Sequence, residues 1–403
     1  MVKLPRAAWQ ERPGLAELLH VLGAEVGETR YVGGCVRDTL LDLPVHDVDL
    51  ATRLQPDEVI DRLRRARIKA VPTGLAHGTV TAVVEGKPVE VTTLRRDVAT
   101  DGRHATVAFT SDWAEDAARR DFTINALSAD PHSLQVFDYF GGWSDVEQRL
   151  VRFIGDPLTR IAEDHLRILR FFRFHARFGR GEPHAESLDA CTARANDLMA
   201  LSRERIADEL LKLLALADPA PTVALMEARG ILRPVVPEIG AEGVRRLAAV
   251  VAREAAAGLP GDPVRRLAAL LPADAELAAT VGTRLRLSNK MVKRLTSAAA
   301  RGADEGVGAA VLAYRLGRDE AVDRILLGTG DPQAAASIAT WERPRLVVGG
   351  GTLIELGLPP GPVVAQTLQE VQRRWAEAGF AESVEEQRAI ARAAVDEALG
   401  RSA

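Results

Sequence analysis

The spacing of apolar and polar positions changes character about a third of the way along the chain. Residues 14–26 put Leu15, Leu18, Leu19 and Leu22 on one stripe at helical spacing. TRYV (29–32) then reads as a strand, Gly33-Gly34 as a turn, and the next residues as a helix. HDVDLAT (46–52) is the following strand, and Pro56 to about Ile68 a helix with proline in its first turn. TVTAVVEGKPVEVTTL reads as a hairpin that turns at Glu85-Gly86-Lys87. The polar stretch RRDVATDGRHAT (95–106) has no periodicity and is expected to be a mobile loop. SDWAEDAARRDFTINALS opens with Ser111 as N-cap and is expected to continue as helix, and QVFDYF is a last strand before Gly141-Gly142.

After residue 150 the strands stop. Helical spacing runs through 156–178, 187–230 and 243–300 and on towards the C-terminus, punctuated by proline and glycine. The expected class is α+β: a head with a small mixed sheet over residues 1–148, a helical segment over 149–230, and a further helical part over 231–403.

Composition and the remaining sequence features add four constraints. A length of 403 residues suits more than one domain, and 47% hydrophobic residues suffice for ordinary cores. The net charge of −4 supplies no overall field for a polyanion, so any nucleic-acid site must be a local basic patch. Cys35 and Cys191 make neither a disulfide framework nor a thiolate zinc site, which fits a reducing cytoplasm. The segment MVKLPRAAWQERPG lacks the apolar core of a signal peptide, and no run of about 18 apolar residues occurs, so a cytoplasmic protein without a membrane partner is expected.

Within the second strand, Asp47 and Asp49 sit two apart, on one face and ~7 Å apart at Cα. Two carboxylates sharing a half-buried face repel unless a cation lies between them. An oxygen-only donor set favours Mg²⁺ over zinc; a solvated strand end is the plain alternative. Such sites usually take a third carboxylate from a neighbouring strand, and Glu90 is the candidate, since Glu85 falls in the turn; a surface-facing glutamate is the equal alternative. Just upstream, Gly33 and Gly34 at a strand-to-helix turn form a natural phosphate cradle, with Arg37 in the first helical turn reaching a phosphate oxygen or simply pairing with Asp38. Together these describe a nucleotidyl-transfer site built on two metal ions.

Two further blocks carry charge. In ARRDFTINALS, Arg120 can reach phosphate or ribose, and Asp121 and Asn125 at i, i+4 can meet ribose hydroxyls; a helix with an internal Arg–Asp pair is the plain alternative. In EDHLRILRFFRFHARF (163–178), helical spacing groups Glu163, Asp164, Arg167, Arg170, Arg173 and Arg177 within about half the circumference. The block is far richer in phenylalanine than the chain average, so both faces are expected to meet something.

In this order and spacing, GGCVRD…DVD, RRDFTINA and EDHLRILRFFRF resemble the class II tRNA nucleotidyltransferases, the CCA-adding enzymes and related bacterial poly(A) polymerases of the polymerase-β-like superfamily. The resemblance covers residues 28–180. It implies a head, neck, body and tail, with tRNA gripped by the helical parts, CTP and ATP as substrates and Mg²⁺ at Asp47 and Asp49. It further implies that Gly34 and Arg37 hold the triphosphate and that Arg120 and Asp121 meet phosphate and ribose. Asp164 and Arg167 would read the incoming base, Arg170 and Arg173 would support phosphates, and Glu163 would orient its neighbours. The segment with Arg95, Arg96 and Arg103 leans towards complete CCA addition or terminal A addition. An A-only adder or poly(A) polymerase stays open, with a non-catalytic tRNA-binding protein as a more distant reading.

Overall fold

Alternating burial builds a seven-stranded mixed sheet in the first third of the computed structural model, which describes residues 2–100, 105–302 and 306–400. The strands are β1 (Thr29–Val32), β2 (Asp49–Thr52), β3 (Lys69–Gly74), β4 (Thr79–Val84) and β5 (Lys87–Thr93), joined by the short β8 (Ser128–Ala129) and β9 (Val136–Phe137). Their order is β3-β4-β5-β2-β1-β8-β9, with β2–β5 parallel and the other pairs antiparallel. Val48 and Leu50 are buried on one side, as are Val89 and Val91, so Asp49 and its register partner Glu90 share the opposite face. The β4–β5 hairpin turns where expected: Glu85 and Gly86 both take positive φ (48° and 75°), the type I′ geometry that matches strand twist.

Helices α2 (Gly34–Leu40) and α3 (Pro56–Arg65) pack with the sheet, α1 (Leu15–Val21) packs against α3, and several boundaries correct the sequence reading. The stripe at 14–26 breaks at Gly23 (φ 70°) into α1 and a single 3₁₀ turn, Ala24–Val26. Strand β2 begins at Asp49, so Asp47 precedes the ladder. The expected loop at 95–106 is, in its described flanks, an antiparallel ribbon of β6 (Arg95–Thr100) and β7 (Ala105–Phe109); Arg103 lies outside the described residues.

Helix α4 (Trp113–Ala118) is capped by Asp112, whose carboxylate accepts from Ala114 N at 2.8 Å, rather than by Ser111. It stops at Ala118 instead of running through RRDFTINALS. The chain then extends so that Phe122 forms a bridge with Phe153, and Thr123–Asn125 make one 3₁₀ turn.

Helix α5 (Gly142–Glu147) precedes α6 (Pro157–Glu163) and α7 (Arg167–Phe178). The expected continuous helix over 156–178 breaks at Asp164 (φ −152°, ψ 107°), whose carboxylate accepts from Leu166 N at 3.2 Å. The phenylalanines of α7 explain their own abundance. Phe171 and Phe174 pack with Phe122 at 6.4 and 5.2 Å, and Phe171 with Phe153 at 5.8 Å, all buried. They weld α7 to the RRDF segment, while the arginines emerge on the other side. Helices α8 (Ala185–Ala193), α9 (Arg203–Leu214) and α10 (Ala220–Ala228) complete the first compact unit, Met1–Pro237.

The second unit, Glu238–Ala403, is helical throughout its described elements, from Ala241–Ala256 to Val384–Ala398. Its interior contains an ion network: Glu254 pairs with Arg265 and Arg266 at 2.9 and 2.8 Å, and Asp323 with Arg265 and Arg294 at 3.0 and 2.7 Å. Among the described residues no helix is long and apolar enough to cross a membrane.

Candidate active site

A cavity of about 920 Å³ in the first unit gathers nearly all the residues singled out in the sequence. Gly33, Gly34, Arg37, Asp47, Asp49, Glu90, Arg120, Asp121, Asn125, Asp164, Arg167, Arg170 and Arg173 line it; Glu163 stands one layer behind. Its acids lie mainly on the sheet wall and its arginines on the RRD segment and α7.

Asp49 and Glu90 project side by side from the parallel pair β2–β5, and Asp47 approaches from just before β2. Burial, followed by the negative charges of Glu90 and Asp47, pushes Asp49 up to about 6 despite Arg120 and Arg37 nearby. That repulsion, met by oxygen donors alone, fits a divalent cation. Among the described residues, no three His, Cys, Asp or Glu side chains already converge as a closed metal cluster. Cys35 points elsewhere, its Sγ donating to the Val32 carbonyl at 3.3 Å.

Gly33 takes φ 65° and ψ −121°, a conformation that glycine alone adopts at little cost, and a Cβ there would come within 3.0 Å of Arg120 Nη1. The turn therefore brings backbone and guanidinium together. Arg37 is 6% exposed: its Nε donates to Asp38 at 2.8 Å, its Nη1 to Asn125 Oδ1, and its guanidinium stacks 4.0 Å from the Phe178 ring. Arg37 thus pairs with Asp38, as one sequence reading has it, and it also lines the cavity.

Asp121 is the hub of the RRD segment. Oδ1 accepts from Phe122 N at 2.8 Å and Asn125 Nδ2 at 2.9 Å, and Oδ2 accepts from Arg170 Nε and Nη2 at 2.8 and 2.6 Å. Burial works to raise this carboxyl, but the Arg170 charge and these donors outweigh it and hold it at about 2. Asp121 and Asn125 are thus bonded to each other, across a 3₁₀ turn instead of the expected helix.

At the break between α6 and α7, Glu163 accepts from Arg160 at 2.9 Å and from Arg167 at 2.5 Å. Arg167 also donates to the carbonyls of Arg160 and Arg119 at 2.9 and 3.1 Å. Asp164 is gripped from α9 by Arg205, and one helical turn further Glu209, 3% exposed, binds Arg173 at 2.6 Å. Sequence reasoning missed Arg205, Glu209, Arg160 and Asp116. The available signal was SRERIADE, where Arg205 and Glu209 fall at i, i+4 on one helix face with charges opposite to Asp164 and Arg173. Arg177 and Lys212 extend the basic wall.

Known proteins resemble this chain in sequence and fold. Residues 29–152 match the family model described as the poly A polymerase head domain, and 182–242 match the probable RNA and SrmB-binding site of polymerase A. The mitochondrial CCA tRNA nucleotidyltransferase 1 of Mus musculus is 31% identical, over 91% of this chain and 87% of that protein. The CCA-adding enzyme of Limosilactobacillus fermentum is 32% identical, over 88% and 90%. The crystal structure of Bacillus stearothermophilus CCA-adding enzyme in complex with CTP superposes with a TM-score of 0.75 at 27% identity, covering 97% of this chain and 99% of that one. Similarity over nine-tenths of the sequence, on a sheet that presents Asp49 and Glu90 opposite the α7 arginines, places this chain in the family of CCA tRNA nucleotidyltransferases, the CCA-adding enzymes.

Proposed function

We propose that this protein adds C, C and A to tRNA 3′ ends from CTP and ATP, without a nucleic-acid template. The observation that carries the reading is one cavity whose sheet wall holds Asp47, Asp49 and Glu90 and whose helical wall holds Asp164 and Arg167. The tRNA 3′-hydroxyl attacks the α-phosphorus, the bond to the β-phosphate breaks, and pyrophosphate leaves. Asp47 and Asp49, with Glu90 beside them, would hold Mg²⁺, which supplies charge neutralisation and Lewis acidity at the transferring phosphate. Arg120 at the Gly33 turn and the buried Arg37 bind the triphosphate; Asp121, committed to Arg170 and Asn125, sets the ribose side of the pocket.

Base choice follows from donors and acceptors. Cytosine and adenine both present an amine beside a ring-nitrogen acceptor. Asp164 accepts from the amine and Arg167 donates to the ring nitrogen. Uracil and guanine would turn a carbonyl towards the carboxylate and leave buried polar groups unpaired, a rejection worth about 1–3 kcal/mol for each group stranded. Arg170, Arg173, Arg177 and Lys212 offer cations to the RNA phosphates.

The test is incorporation of each nucleotide, singly and together with Mg²⁺, on tRNA transcripts ending at the discriminator base, after C and after CC. Addition of C, C and A followed by a stop is expected. A alone on the CC-ended transcript, or long A tails, would make this a terminal adenylyl-adding member; no incorporation on any transcript would favour the non-catalytic binding reading.

A further inference from the structure

Asp116 lies behind the cavity wall on α4, only 4% exposed, and does not line the cavity. Its Oδ2 accepts from Arg120 Nη2 at 3.1 Å; its Oδ1 accepts from Arg119 Nε at 3.2 Å and from the backbone N of Arg95, the first residue of the β6–β7 ribbon, at 3.3 Å. Burial alone would raise this carboxyl, yet the guanidiniums of Arg120 and Arg119 prevail and hold it below the usual carboxylate range. A buried anion engaged at both oxygens is a rigid anchor.

What it anchors reaches both ends of the site. Arg120 extends on to the Asn125 carbonyl at 3.3 Å and stands against the Gly33 turn, at the triphosphate end. The Arg119 carbonyl accepts from Arg167 Nη2 at 3.1 Å, and the Arg120 carbonyl from Arg160 Nη2 at 3.0 Å, at the base-reading end. Glu163 ties Arg160 and Arg167 together behind them. One dipeptide is therefore held through its side chains by Asp116 and through its carbonyls by the arginines that frame the base. A backbone shift at Arg119 moves the carbonyl that Arg167 rests on, and one at Arg120 moves the carbonyl that Arg160 rests on.

We propose that Asp116 is a positioning residue that fixes the Arg119–Arg120 segment and so couples triphosphate binding to base selection. This rests on the functional reading above. Loss of the Asp116 charge frees Arg120, weakening nucleotide binding whatever the base, and unseats Arg167, weakening preference for cytosine over uracil. Both effects come from a residue that touches no substrate. Misplacement of reacting or recognising groups by about 1 Å costs up to roughly a hundredfold, so each effect is expected at about ten- to a hundredfold.

The experiment uses the full chain as parent, Asp116→Asn, which keeps the side-chain size, and Arg119→Met, which leaves Asp116 paired with Arg120. Equilibrium binding of CTP and UTP is measured without tRNA, together with incorporation of each on a transcript lacking CCA and the melting temperature. In Asp116→Asn, weaker CTP binding and a smaller CTP-over-UTP ratio are expected together. Arg119→Met, the fallback should Asp116→Asn not fold, is expected to lose the ratio with a smaller effect on CTP binding. A lower melting temperature with binding and ratio unchanged overturns the proposal. So does weaker CTP binding with the parent's ratio intact, which would make Asp116 an anchor for Arg120 alone. A parent that binds CTP over UTP but transfers neither would overturn the functional reading, and the binding ratios would still decide the role of Asp116.

Discussion

Arg205 places a single guanidinium nitrogen between both carboxylate oxygens of Asp164, at 3.0 and 2.9 Å. The pair joins α9 to the break between α6 and α7 and aims a carboxylate that its own backbone leaves outside any helix. A charge-assisted contact of this kind fixes the direction of the remaining lone pairs, the ones that the proposed function offers to an exocyclic amine. Arg205→Ala should therefore lower the CTP-over-UTP ratio about tenfold, equivalent to ~1.4 kcal/mol, with little change in melting temperature because the pair is partly exposed. Arg205→Lys, which keeps the charge but on one ammonium nitrogen instead of a planar fork, should recover part of the ratio. Steady-state incorporation of each nucleotide checks this, and an unchanged ratio in Arg205→Ala would remove Arg205 from base selection.

How much of this was legible beforehand depended on whether a residue's partner lies nearby in sequence. The outward pair Asp47 and Asp49 followed from alternation, and Glu90 followed from asking which acid on a neighbouring strand could join them; the β2–β5 register answers by setting Glu90 opposite Asp49. The break at Asp164 was hidden because helical spacing groups Glu163 and Asp164 with Arg167, Arg170 and Arg173 as if no break lay between them, and a wheel assumes the continuity it displays. Asp116 and Arg205 were missed for a different reason. Each has a local ion-pair or solvated-face explanation, and only the fold shows that Asp116 faces the RRD arginines with both oxygens and that α9 faces α7. The ribbon at 95–100 was read as a loop because its pairing with 105–109 leaves no apolar alternation to see.

The carboxylates on the sheet wall should trade stability against activity. Burial and the adjoining charges of Glu90 and Asp47 disfavour an ionised Asp49, so Asp49→Asn should stabilise the chelator-treated protein at neutral pH, by roughly 1–3 kcal/mol. The same change should abolish nucleotide incorporation while leaving tRNA binding near the parent's. Urea unfolding in EDTA, incorporation assays and filter binding report the three effects. A destabilised Asp49→Asn would show that the carboxylate is a structural element.

Asp121 should give the opposite pH behaviour. Its folded value, about 2, lies below the usual ~3.9 of an unfolded aspartate, so its pairing contributes stability at every pH above that unfolded value. As pH falls from about 4 towards 2, the contribution is lost. The shift corresponds to about 2–3 kcal/mol near neutral pH. Asp121→Asn should be destabilised by at least that amount at pH 7, since it also leaves Arg170 without its bidentate partner, and the gap to the parent should narrow as pH drops through 4. Unfolding by urea at pH 7 and pH 3 tests the sign; a gap that does not change with pH would mean that the carboxylate's charge contributes little.

In the second unit, Asp323 is fully buried and accepts from Arg265 Nε at 3.0 Å and from Arg294 Nε and Nη2 at 2.7 and 2.8 Å. Burial raises this carboxyl in spite of both arginines, so the charge is held at a cost that the geometry only partly offsets. Removing it alone is worse than keeping it, because Arg265 is just 5% exposed and would share Glu254 with Arg266 as its one remaining acid in this network. Asp323→Asn should destabilise the second unit by about 3–5 kcal/mol, the usual cost of stranding one side of a buried pair. CTP binding should be unaffected, since every residue lining the catalytic cavity belongs to the first unit. Unfolding followed by circular dichroism, alongside CTP titration of the same variant, separates the two readouts; lost CTP binding with an unchanged unfolding midpoint would contradict the assignment of Asp323 to a purely structural network.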